Sequence, residues 1–271
     1  MNRLKITQEI FEKHCSSATN SNDTVFMAVE YGFSLSEQRI ATFLGLEVFE
    51  ELPGNIQPLF ERAVCLDTYA EAIPHLDLVL TSSGFGVVST SNVAPASADR
   101  VNRLSKTLIA ALDDTIDDIL SLLRFETAWN ETATAHSLIS SVFWSGRQLR
   151  RYGLPLAHRS DLVANAMKIS TAESKLREFI GDEIMMKLIS SIRTASSTPK
   201  ELTLLQLIEH VIAANISGCD GREFKTLLNS VARYLLNNID SFPDFANSSA
   251  YAALKIVRYE NKKDDTTFFF G

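Results

Sequence analysis

Apolar residues recur at steps of three and four along most of this chain, and alternate along only one short stretch. The clearest helical series is Val101, Leu104, Leu108, Leu112, Ile116, Ile119 and Leu123, which defines one apolar face on an otherwise polar run. Ser97 stands where an N-cap belongs, and Asp99 falls in the first turn, where the helix dipole favours an anion. At 1.5 Å per residue such a helix is a rod of roughly 40 Å and must bury its apolar face on neighbouring helices. Strongly apolar helices are also predicted over residues 56–73 and 201–216.

The exception is "LDLVLTSSGFGVVST", residues 76–90. Its two runs, "DLVLT" and "FGVVS", carry β-branched and aromatic residues on either side of "SSG", which predicts a β-hairpin at about 77–89. Gly84 is expected to supply the positive φ of a three-residue loop. Residues 78–81 and 85–88 hold no Lys, Glu or Pro to blunt a strand edge. Leu78, Leu80, Gly84, Phe85 and Val87 are therefore candidate interaction residues.

A second regularity appears when "SEQRIATFLGLEVFEEL" is laid over "AESKLREFIGDEIMMKL". Phe43, Leu44 and Gly45 then meet Phe179, Ile180 and Gly181, and Glu47, Val48 and Leu52 meet Glu183, Ile184 and Leu188. In each copy a short helix runs into the triplet, a second apolar helix begins near the glycine, and two further helices come after it. The order predicts a mainly α protein of two tandem helical-bundle units, residues 1–145 and 146–260, with the hairpin inserted in the first. Chance likeness between helices is the alternative. Residues 261–271 are expected to form a C-terminal arm whose Phe268, Phe269 and Phe270 pack back on the chain or dock on another.

Composition narrows the function more than the fold. With 45% hydrophobic and 22% charged residues the chain reads as globular, and no apolar run approaches the ~20 residues that span a bilayer. The first residues lack a signal-peptide core, so no membrane partner is expected and the chain should stay in the compartment where it is made. A net charge of −7 and the absence of a basic stripe argue against sequence-specific DNA binding. Arg147, Arg150 and Arg151 in "SGRQLRRYG" are read as a solvated helix face.

Candidate chemistry is sparse. "DDTIDD" places Asp113 four residues from Asp117, and Asp114 four from Asp118, so like charges face one another on a helix. They can form a solvated acidic face, a negative surface beside DNA or a partner, or a metal site. The Gly-turned loop and mixed ligands of a tight metal site are lacking, and no metal is expected there. "GFGVVS" sits in a strand and fails the strand-to-helix context of a phosphate loop. The cysteines (15, 65 and 219) and histidines show no metal-ligand spacing or nucleophile pairing. Trp129 and Trp144 are packing anchors or, alternatively, a ligand platform. No catalytic residue and no cofactor is predicted.

"FLGLEVFEEL" and "FIGDEIMMKL", with "AEAIPHLDLVLTSSGFGVVSTSNVAPASADRV" and the closing "YENKKDDTTFFFG", resemble an uncharacterised family of phage and prophage virion proteins from gut bacteria. More loosely, the helical unit is similar to head–tail adaptor (connector) proteins of tailed phages. The resemblance implies a structural protein of the virion neck, assembled in the bacterial host cytoplasm as a homo-oligomeric ring. Its implied partners are the portal protein, neighbouring neck or tail proteins, and double-stranded DNA passing without sequence-specific binding. Another virion assembly part, such as a tail-completion or capsid-associated protein, is the alternative. A metal-dependent enzyme using Asp113 to Asp118 comes third.

Overall fold

The computed structural model describes residues 4–16, 24–76, 78–81, 84–87, 97–154 and 156–254. It is mainly α-helical, and the chain divides into two compact units. The first comprises Met1–Ala166 together with Ser191–Ser196; the second comprises Met167–Ser190 and Ser197–Gly271. The division falls after residue 166, not at 145, because residues 146–166 carry the helices that dock on the long helix of the first unit. Among the described residues, no helix is long and apolar enough to cross a membrane.

The first unit opens with α1 (Gln8–His14) and α2 (Thr24–Val29), then a 3-10 turn, Glu30–Gly32, and α3 (Phe33–Leu44). Helix α4 (Gln57–Leu76) is next, and α5 (Ala98–Leu123) packs along it. Phe11 meets Phe33 and Tyr69 edge-on, with both ring pairs 5.7 Å apart, so aromatic packing joins α1, α3 and α4. The expected apolar face of α5 is buried at Leu108, Ile116, Ile119 and Leu123, whereas Val101, Leu104 and Leu112 are only half-buried. Ser97 occupies the N-cap in extended conformation but its hydroxyl caps nothing. Buried Cys15 and Cys65 lie among these helices; burial pushes the Cys15 thiol up to about 12 and raises Cys65 as well.

Between α4 and α5, β1 (Leu78–Thr81) and β2 (Gly84–Val87) pair antiparallel. Leu78 stands opposite Val87, Leu80 opposite Phe85, and Thr81 opposite Gly84. Gly84 therefore opens the second strand instead of sitting in a three-residue loop. The unit closes with α6 (Thr127–Asn130), α7 (Ala133–Leu138), α8 (Gly146–Arg151) and α9 (Arg159–Ala164).

Within the second unit, α10 (Ala166–Ile180) leads to Gly181 and α11 (Asp182–Arg193), whose last turn belongs with the first unit. Helices α12 (Pro199–Ser217) and α13 (Gly221–Asn237) pack together, and α14 (Pro243–Ala246) and α15 (Ser249–Leu254) end the described chain. Thr198 and Glu201 form a reciprocal capping box ahead of Pro199, and Asp220 accepts the first N–H groups of α13 at 2.8 Å. Lys168 donates to the Ile216 carbonyl at 2.8 Å, satisfying the C-terminal end of α12.

The expected tandem duplication is not supported. Gly45 and Gly181 both take positive φ, 68° and 99°, and both end a helix. Gly181 leads at once into twelve-residue α11, whereas Gly45 leads into only a 3-10 turn, Leu46–Val48. The physical reason lies downstream. Asp182 and Glu183 favour a new helix N-terminus, while "EVFEELPG" meets Pro53 within one or two turns. The expected arm with Phe268, Phe269 and Phe270 lies outside the described residues.

Candidate functional site

The aspartates of α5 are the constellation singled out from sequence whose side chains are all placed. Their surroundings differ from the expected solvated acidic face. Asp117 is 1% exposed, deep in the first unit. Its Oδ1 accepts from Arg159 at 3.0 Å, and its Oδ2 accepts the Gly146 N–H at 2.8 Å. Asp114 is gripped through both oxygens by the Arg150 guanidinium, at 2.6 and 3.1 Å. Asp118 pairs with Arg147 at 2.5 Å, and Asp113 accepts the Ser160 N–H at 3.2 Å. Repulsion along the helix is thus relieved by cations and amides from α8 and α9.

This corrects two sequence expectations together. The acidic face is the seat on which the segment 146–160 docks, and Arg147 and Arg150 are its partners, not part of an unengaged solvated face. Arg147 and Arg151 are nevertheless exposed, and of that trio only Arg150 is half-buried.

Arg159 and Gly146 do more in the clamp than meet Asp117. Arg159 also donates to the Trp144 carbonyl at 3.1 Å, and its guanidinium lies 5.8 Å from the Phe43 ring centre. A Cβ added to Gly146 would come within 2.6 Å of the His158 carbonyl carbon, so only glycine allows α8 to approach the start of α9 this closely. Asp117 shows that the clamp has a cost: burial raises its pKa, against the lowering by Arg159 and the backbone amides of Gly146 and Arg147.

The tryptophans anchor packing. Trp129 is fully buried and donates from Nε1 to the Leu44 carbonyl at 2.7 Å, closing the end of α3. Trp144 is half-buried beneath the Arg124 guanidinium, 5.1 Å from its ring centre.

Residues 39–137 match a family of unknown function, DUF6712. No curated protein and no solved structure matches the chain. The matched stretch runs from within α3 to within α7. It contains all four aspartates but stops short of Arg147, Arg150 and Arg159, which complete their pairing.

Chemically, every carboxylate of the cluster already accepts from a guanidinium or a backbone amide, so its role in this fold is to hold helices. Among the described residues, no group of three or more His, Cys, Asp or Glu side chains converges as a metal site would require. Sequence reasoning missed Arg159, Gly146 and Ser160. A usable signal was present in the net-basic run "GRQLRR" downstream of the acidic "DDTIDD", a complementarity that predicts docking but not its geometry. Nothing is described of the side chains of Leu78, Leu80, Gly84, Phe85 and Val87.

Proposed function

We propose that this chain is a structural virion protein, a head–tail adaptor that forms an oligomeric ring at the neck of a tailed phage and surrounds the DNA passage. The observation that carries the reading is the sequence resemblance of the segment "AEAIPHLDLVLTSSGFGVVSTSNVAPASADRV", with the two "F-aliphatic-G" stretches and the phenylalanine-rich terminus. A mainly helical build supports it, as do three exposed apolar side chains in the first unit. Met27, Tyr31 and Leu35, from α2, the 3-10 turn and α3, are 69%, 77% and 61% exposed, apolar surface available for contacts between subunits. The overall charge of −7 suits a passage that DNA slides through without adhering. The portal and adjacent neck or tail proteins are the partners in this reading, with assembly in the host cytoplasm.

Another virion assembly part is the second reading, favoured by the same segment without its specific position in the particle. An enzyme working through Asp113 to Asp118 is disfavoured, because each carboxylate is already engaged by a cation or amide. Native mass measurement separates the three. A closed ring or a complex with portal protein is expected; a lone monomer with divalent-ion-dependent hydrolysis would overturn the proposal. Removing residues 264–271 should weaken assembly while leaving helical circular dichroism intact.

A further inference from the structure

Arg39, Arg147, Arg150 and Arg159 of the first unit each meet carboxylates; Arg124 is placed differently. It succeeds the last residue of α5 and is half-buried, and burial lowers its pKa with no acidic neighbour offsetting that cost. Its Nε donates to the Ile192 carbonyl, and its guanidinium lies over the Trp144 ring at 5.1 Å. Ile192 is itself fixed. Its carbonyl also accepts the Ala195 N–H at 3.2 Å, and the Ser196 N–H returns to the Ser191 carbonyl at 3.0 Å. This is a Schellman-type close on α11, with Ala195 in the left-handed region at φ 49°.

The consequence is a cation held by its inner nitrogen and one face, with its outer edge uncommitted. Among the described residues no acceptor engages the terminal nitrogens of Arg124, and neither is among the enclosed, unsatisfied atoms. The next residue, Phe125, is 70% exposed. A half-buried guanidinium has already lost part of its hydration, and its fork suits the two oxygens of a carboxylate.

We propose that Arg124 is a receptor for a carboxylate on a partner polypeptide, an acidic side chain presented next to an apolar one that covers Phe125. A single stacked cation in an acidic chain fits one carboxylate better than a run of phosphates, which needs several cations in a row. The inference stands whether or not the chain forms a ring.

The test uses the full-length chain and tracks tryptophan emission, because Trp144 lies directly under the guanidinium and Trp129 is buried elsewhere. The probe is N-acetyl-Asp-Leu-amide; its uncharged counterpart, N-acetyl-Asn-Leu-amide, and a short DNA duplex are run alongside. The acidic peptide should give a saturable change that the asparagine peptide does not. Arg124→Lys keeps the charge but loses the fork, and should weaken binding about tenfold; Arg124→Met should weaken it further. Circular dichroism checks that each variant is folded. Should Arg124→Met fail to fold, the Asp-against-Asn comparison and Arg124→Lys still decide. Equal response to both peptides, no response to either, unchanged binding by the variants, or preference for the duplex each overturns the proposal.

Discussion

Two helices of this chain stop on nearly the same triplet, yet the chain continues differently from each. Helix α3 ends at Phe43, Leu44 and Gly45; α10 ends at Phe179, Ile180 and Gly181. Both glycines reverse the chain through positive φ, so the local instruction is shared. Gly45 is pressed against Thr134, and Thr42 donates across the turn to Glu47 at 2.7 Å, fixing a short 3-10 turn in a crowded corner. A Cβ added at Gly181 would meet Glu183, Ser248 and Ala250 only at ordinary contact distance, and α11 begins at the next residue. A stop signal thus specifies where a helix ends, and the packed environment decides how tightly that end is held.

The first unit is also braced by the buried Asp117–Arg159 pair, and the strongest way to break the contrast is to cut that brace. Asp117→Ala should cost about 3–5 kcal/mol in urea unfolding, because it strands the Arg159 guanidinium and the Gly146 N–H beneath α5. A loss below roughly 1 kcal/mol would show that the clamp is dispensable.

Next in size are the glycines themselves. Gly45→Ala should destabilise by about 2–3 kcal/mol, adding overlap with Thr134 to the left-handed backbone cost. Gly181→Ala should lose only the backbone part, about 1–2 kcal/mol. Equal melting-point losses for the two would erase the distinction drawn between the corners.

Ala195 offers the reverse experiment. It is a further left-handed position after a helix, occupied by a residue whose Cβ is strained there. Ala195→Gly should stabilise by roughly 0.5–1 kcal/mol, the relieved strain exceeding the added freedom of the unfolded chain. Thermal unfolding would read this directly, and a lower midpoint would contradict it.

The finest test is a slope against pH. Asp117 binds its proton more readily folded than unfolded, since burial outweighs its partners. Its contribution to stability therefore falls as pH rises from the ordinary carboxylate value of 3.8 through the raised folded value, and is recovered on acidification. Relative to Asp117→Asn, which does not titrate there, the wild type should gain stability as pH drops through that window. A difference growing toward neutral pH would mean the Arg159 attraction prevails over burial.

Much of the helical layout was legible beforehand because its signals are local. The three- and four-residue steps from Leu108 to Leu123 mark the buried face of α5, and the predicted helices 56–73 and 201–216 lie at α4 and α12. The aspartates were legible as a group but not in role. Their neutralising partners stand 29 to 47 residues away, and whether a carboxylate meets water or a guanidinium is invisible to periodicity. The apparent repeat misled for a related reason: it compared helix stops, which are local, and inferred unit architecture, which is not.

By itself the sequence determined that this is a mainly helical chain with helix breaks at Gly45 and Gly181, because turn chemistry and apolar spacing act over a few residues. Only the tertiary structure decided that Asp117 lies buried under Arg159, that α8 can approach α9 only at Gly146, and that Arg124 is held over Trp144. Those outcomes depend on desolvation and close contact between segments far apart in the chain, where burial sets the strength and sign of each charge's contribution.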